Sequence, residues 1–156
     1  MFDEERTAFL EGGCALILAT VLPDGEPHAG RGWGLTVLPD DGHLRVLLDV
    51  EDLATVDQAA ERGAIAITGA SVRTLRAMQL KGRALAVEAA SLADTARAER
   101  YCNAFFGDIV DVDGLDRTVV ERMTPVGYVA CTVAVEQLFD QTPGPGAGAR
   151  LPGGKA

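Results

Sequence analysis

Between Arg73 and Glu88 the sequence reads Arg-Thr-Leu-Arg-Ala-Met-Gln-Leu-Lys-Gly-Arg-Ala-Leu-Ala-Val-Glu. With the two-residue period of a strand, Ala77, Gln79, Lys81 and Arg83 fall on one side. Met78, Leu80, Ala84 and Ala86, with Gly82 among them, fall on the other. The second set is a core face. The first lines up an amide, an ammonium and a guanidinium, all hydrogen-bond donors toward an anion. Two readings stand side by side: a floor for an anionic ligand, or the solvated face of an antiparallel strand. Lys81 favours the first, because the one other lysine is Lys155, in the tail.

His28–Leu38 carries a second unusual pattern. Gly30, Gly32 and Gly34 alternate, so one face lacks side chains for three places, while Arg31, Trp33 and Leu35 stand opposite. Either a backbone or flat ligand approaches the glycines, or the strand bends there to close a barrel. Arg31 beside Trp33 suits a phosphate gripped by the guanidinium with the ring over an apolar ligand edge. It suits equally a tryptophan in a subunit interface with the arginine stacked on it. The glycines lie mid-strand with no helix behind them, so they form neither a dinucleotide-binding turn nor a phosphate loop.

Other chemistries find little to stand on. His28 and His43 adjoin turns without a third ligand at metal spacing, and both read as exposed loop residues. Ser71 and Ser91 are the only serines and neither lies in a nucleophile elbow. Cys14, Cys102 and Cys131 are far apart in apolar stretches, as buried thiols are. No carboxylate pair is singled out as acid and base, and no catalytic proton donor is identified.

The elements that must position these residues follow from the same patterning. The chain has 156 residues, 47% hydrophobic but only 5% aromatic, and reads as one domain over 1–140 with an aliphatic core. A net charge of -9 opposes a nucleic-acid surface. The acidic start lacks an apolar leader and no run is long enough to cross a membrane, so a cytoplasmic protein is expected. Glu4–Leu10 predicts a helix. Cys14–Leu22, apolar on both faces, predicts a strand covered on both sides. Turns at Pro23–Pro27 and Pro39–Gly42 join it to strands His28–Leu38 and His43–Val50 in an antiparallel meander. Asp52 caps a helix to Arg62, closed by Gly63. Strands follow at Ala64–Thr68 and through the opening segment to Ala89. Ser91 or Asp94 starts a helix to Phe106, Leu115–Met123 is another, and Tyr128–Val135 is a last strand. Residues 141–156, rich in glycine and proline, form a tail, either disordered or laid as a strap over a neighbour. Six strands and few helices predict a mainly β, closed barrel.

This order, with the Leu-Pro-Asp-Gly-Glu-Pro turn, Arg31 on the second strand and Gln79-Leu-Lys-Gly-Arg-Ala84 on the fifth, resembles the pyridoxamine 5'-phosphate oxidase-like, FMN-binding split-barrel family. The resemblance covers roughly Gly12–Val135. It implies a six-stranded antiparallel split barrel, a homodimer and two interfacial flavin sites. The phosphate would be held by the second and third strands and the helix after them. By position Arg31 matches the family's phosphate arginine, and Trp33, Thr36, Gln79 and Lys81 join it as candidate cofactor contacts. Arg73, Thr74 and Arg76 are candidates to supplement the phosphate site. Thr36 falls where the oxidases proper carry lysine, and Asp52-Leu-Ala-Thr55 replaces their Ser-Arg-Lys cluster. Pyridoxamine phosphate oxidation is therefore not expected. What is implied is an oxidoreductase of another small molecule using FMN. The alternatives are the deazaflavin F420, or a barrel that holds flavin or haem without turnover.

Overall fold

The computed structural model describes residues 1–39, 42–61 and 63–153. Six antiparallel strands, β1 (Ala15–Val21), β2 (Pro27–Val37), β3 (His43–Asp49), β4 (Ala64–Ala70), β5 (Ala77–Ala89) and β6 (Tyr128–Asp140), close in the order β1-β2-β3-β6-β5-β4. Around them are α1 (Glu4–Glu11), α2 (Leu53–Ala60), α3 (Leu92–Asp113) and α4 (Arg117–Val120), the last running into a 3-10 turn at Glu121–Met123. This is the mainly β, closed barrel that the patterning predicts. Asp40 and Asp41 of the expected hairpin turn, Arg62 at the expected helix end and Gly154–Ala156 of the tail lie outside the described residues.

A six-stranded barrel is narrow enough for its own side chains to fill. Leu16, Leu18, Leu35, Val46, Leu80 and Leu138 are almost wholly buried inside it. Helices α1 and α2 sit at opposite ends. Glu11 accepts the Val37 amide at 2.8 Å where β2 finishes, and Asp52 meets Gly30 where β2 begins.

Bulges change the faces read from strict alternation. Between Gly32 and Leu35 the β2–β3 register slips, so Leu35 pairs with Val46 inside and leaves the side of Arg31 and Trp33. Gly34, at φ +137°, carries that bulge, and a side chain there would press on Leu47, Arg97 and Ala98. The glycine run therefore bends the strand instead of opening a slot. A Cβ on Gly32 would meet Leu16 and Val46, already packed in the core. A slip between Ala84 and Ala86 likewise turns Ala86 out to solvent.

Three other expectations shift. Helix α3 runs on past Gly107 to Asp113, because a lone glycine costs only about 1 kcal/mol and Ile109 and Val110 still pack on the core. Strand β6 continues five residues beyond Val135 to Asp140. The tail folds back as a strap over its own chain: Leu151 donates to Leu138, Phe139 bridges Arg150, and Arg6 reaches the Pro152 carbonyl at 3.1 Å.

Gly82 on β5 lies hard against β6: a Cβ there would stand 1.9 Å from the Ala134 carbonyl oxygen. Gly82→Ala should destabilise the barrel by about 3 kcal/mol, read as a lowered urea midpoint. A midpoint within experimental scatter of wild type would mean that the two strands are not so tightly apposed.

Candidate functional site

The outer surface of the barrel is covered unequally. Helix α3 lies on β2 and β3, with Trp33 edge-on to Phe106 at 6.5 Å between ring centroids and Tyr101 Oη accepting the Leu16 amide. Arg97 donates to the Leu35 carbonyl at 2.8 Å and also to Glu11, tying α3 to β2 and α1. At the start of α3, Ser91 and Asp94 form a reciprocal capping box, and Asp94 takes both Nε and Nη2 of Arg45 on β3. That pairing holds the Asp94 carboxyl down to about 2, against the smaller opposing effect of its burial.

None of the described helices covers the outer side of β1. Its inward residues are buried, but Ile17 is 41% and Val21 53% exposed, and Ala19 is exposed between them. The expectation that β1 is covered on both sides is thus not met within one chain. On this face the ladder aligns Arg31, Ile17, Thr68 and Gln79 in one row and Ala29, Ala19, Ala66 and Lys81 in the next. Arg31 and Lys81 therefore flank one apolar surface, three strand spacings or about 15 Å apart.

The other candidates are placed less favourably. Arg31 lies over Trp33 and Phe105, 5.4 and 5.0 Å from the ring centres, with its Nε buried and unpartnered among the described residues. Trp33 itself is only 4% exposed, so it offers no open slot. Thr36 lies past the bulge, opposite Arg45. Arg73 is held by Asp108 and Asp111, and Arg76 by Glu5 with Phe9 beneath it, while Thr74 serves the turn between β4 and β5. Gln79 donates to Thr68 at 3.2 Å, and Lys81 is exposed with its Nζ 5.0 Å from the Phe139 ring centre.

The start of α2, where the family resemblance places part of a phosphate site, is filled from within. Asp52 accepts the Thr55 amide at 3.1 Å, the Thr55 hydroxyl at 2.6 Å and His28 Nε2 at 3.1 Å. Burial alone would raise the Asp52 pKa; the bonds from Thr55 and His28 outweigh it and leave it below the usual carboxylate range. Gly30 makes room for this cluster, since a Cβ there would lie 2.3 Å from Asp52 Oδ2. His28 is accordingly a partly buried strand residue, not the exposed loop histidine of the sequence reading.

Two residues that sequence reasoning did not single out border this face, Thr20 from the inner side of β1 and Glu136 from β6. A groove of about 390 Å³ between β1, β4 and β5 is lined by Thr20, Lys81 and Glu136 among apolar neighbours. The Thr20 hydroxyl is buried without a partner among the described residues. Nothing marks Thr20 in the sequence. Glu136 is signalled only by the adjacent polar pair Glu136-Gln137, which breaks the alternation of the last strand. Cys14, Cys102 and Cys131 are free and buried, with burial pushing the Cys14 and Cys131 thiols up to about 11. No metal-holding cluster occurs among the described residues, and no helix there is long and apolar enough to cross a membrane.

No family model and no curated protein matches the chain. Solved structures do. HupZ of Group A Streptococcus is 18% identical with a TM-score of 0.59, over 95% of this chain and 100% of that one. An F420 reductase is 18% identical with a TM-score of 0.57, over 88% and 98%. A candidate pyridoxamine 5'-phosphate oxidase from Lactobacillus delbrueckii is 19% identical with a TM-score of 0.55, over 88% and 93%. At such identities the likeness is one of fold, and the fold is that of the pyridoxamine 5'-phosphate oxidase-like split barrels.

The Arg45–Asp94 pair seats α3 and through it the rings that surround Arg31. A carboxyl whose folded pKa is depressed stabilises fully above its ordinary value and loses that contribution as pH falls through the depressed one. Asp94→Asn should cost about 1–2 kcal/mol at neutral pH. It should also flatten the loss of stability between the ordinary carboxyl range and pH about 2, followed by urea melts across that window. An unchanged acid limb would assign it to other carboxylates.

Proposed function

We propose that this chain is a flavin- or deazaflavin-binding split-barrel protein that works as a homodimer. In this reading it is an oxidoreductase acting on a small molecule other than pyridoxamine 5'-phosphate. The observation that carries the proposal is the outer side of β1. Its sequence is apolar where a cover is needed, yet Ile17, Ala19 and Val21 are bare, and Arg31, Gln79 and Lys81 border them. A second copy of the chain supplies the missing cover, and a planar anionic ligand held between the copies uses the bordering cations.

The residues fit the ring of such a cofactor better than its phosphate. The groove beside Lys81 has apolar walls and an unsatisfied buried hydroxyl. The expected phosphate ligands are engaged elsewhere: Asp52 occupies the Thr55 amide of α2, and Arg73 and Arg76 hold carboxylates. Arg31, with its unpartnered Nε, is the cation left at that end. When bound, the flavin supplies hydride and electron transfer. The chain's own part is to exclude water from the ring, orient it, and donate a hydrogen bond from Lys81 to its acceptor atoms. FMN is the first choice. F420 remains the alternative, supported at the level of fold by the similarity to an F420 reductase.

The decisive measurement is the absorption spectrum of freshly purified protein with its mass in solution. A yellow or deazaflavin spectrum and twice the 16.4 kDa chain mass are expected. Lys81→Met should weaken FMN or F420 binding about tenfold, the worth of one charge-assisted hydrogen bond. A colourless monomer that takes up neither FMN nor F420 removes the proposal, and uptake of haemin alone would replace it with a haem-binding role.

A further inference from the structure

We infer that the groove between β1, β4 and β5 receives the cyclic imide edge of a planar, uncharged heterocycle. Resting on the cofactor reading above, this edge is the pyrimidine end of the flavin or deazaflavin ring, while the phosphate stays outside the groove.

The polar inventory of the groove points to that class. Its apolar walls include Val21, Pro27 and Ile65, and three polar side chains interrupt them: Thr20, Lys81 and Glu136. One cation and one anion at the same rim cancel, so a carboxylate drawn by Lys81 is repelled by Glu136, and an amine meets the converse. Among the described residues no ion pair joins the two, and both are exposed, Lys81 with only the Phe139 ring beneath its ammonium. A neutral ligand that presents both an acceptor and a donor satisfies both. An imide does so in sequence, as carbonyl, N–H and carbonyl. Lys81 donates to the first carbonyl and Glu136 accepts the N–H. Thr20 borders the groove from the inner side of β1 with its hydroxyl buried, and a turn about χ1 brings that hydroxyl to the second carbonyl as donor. That hydroxyl is buried and unpartnered among the described residues, so the ligand completes a bond that they leave unmade.

The placement of Glu136 is built into the strand pairing. Lys81 pairs with Gln137 and Gly82 with Val135, so Glu136 is the extra residue of a bulge. In an unbroken register Glu136 and Gln137 would face opposite ways. The bulge leaves Glu136 exposed at the groove beside Lys81 while Val135 and Leu138 stay in the core. The tight approach of Gly82 to the Ala134 carbonyl is the close packing at that same irregularity.

The test uses the full chain stripped of any bound flavin, titrated with lumiflavin, riboflavin, FMN, N3-methyllumiflavin and uracil, and followed by flavin fluorescence or calorimetry. Lumiflavin and riboflavin should bind within about threefold of FMN, because no built phosphate site contributes. N3-methylation should weaken lumiflavin about tenfold, and Glu136→Ala should weaken lumiflavin by a similar factor but leave N3-methyllumiflavin unaffected. Thr20→Val, equal in shape, should weaken lumiflavin about fivefold, and uracil, lacking the apolar body, should bind at least a hundredfold more weakly. FMN bound a hundredfold tighter than lumiflavin, or N3-methyllumiflavin bound as well as lumiflavin, places the ring elsewhere while flavin binding itself stands. Uracil bound as tightly as lumiflavin makes the groove a pyrimidine site and overturns the flavin assignment. Failure of every flavin to bind removes both this inference and the cofactor reading it rests on.

Discussion

Closing six strands into a barrel creates an inner surface that the chain can fill alone and an outer one that it can cover only in part. Aliphatic side chains meet the first requirement. For the second there is one long helix, and its position is fixed by contacts that admit no sliding: Arg45 with Asp94, Arg97 with the Leu35 carbonyl, and Ala98 against Gly34. With α3 committed to β2 and β3, the outside of β1, β4 and β5 is left without that cover. The location of the candidate site follows from that asymmetry more than from any single residue.

The irregularities of the strands serve the same division. The β2 bulge at Gly34 lets α3 come close and puts Leu35 back into the core. The irregularity between Lys81 and Gly82 leaves an acid next to a lysine on the bare side. Each inserts one residue, and each decides which surface the following side chains serve. At the barrel end, Asp52 is helix cap, hydrogen-bond acceptor for His28 and occupant of the space over Gly30 at once. A protein whose own carboxylate fills this position has less need of a ligand phosphate there.

Much of this architecture was legible in the sequence. Alternation in Met78–Arg83 gave the correct inner and outer sets, Asp52 and Ser91 marked true helix starts, and the short Pro/Asp/Gly turns announced an antiparallel meander. Bulges were not legible, because an inserted residue leaves no compositional mark and shifts every later assignment, as Leu35 and Ala86 show. Of the candidate site, Gln79, Lys81 and Arg31 do share one face. The roles of Arg73 and Arg76 were hidden because their partners, on α3 and α1, are distant in sequence. Thr20 was hidden by its ordinariness: an unsatisfied hydroxyl is a property of its surroundings, not of the residue type.

The strap at the end of the chain bears on how the molecule is assembled in time. Arg6 and Pro152 meet across 146 positions, so this clasp closes a loop of almost the whole chain and repays its entropy late. The barrel does not need the clasp to fill its interior. The Gly/Pro segment before it should therefore fray and reseal many times while the strands stay shut, and a protease would find its first purchase there.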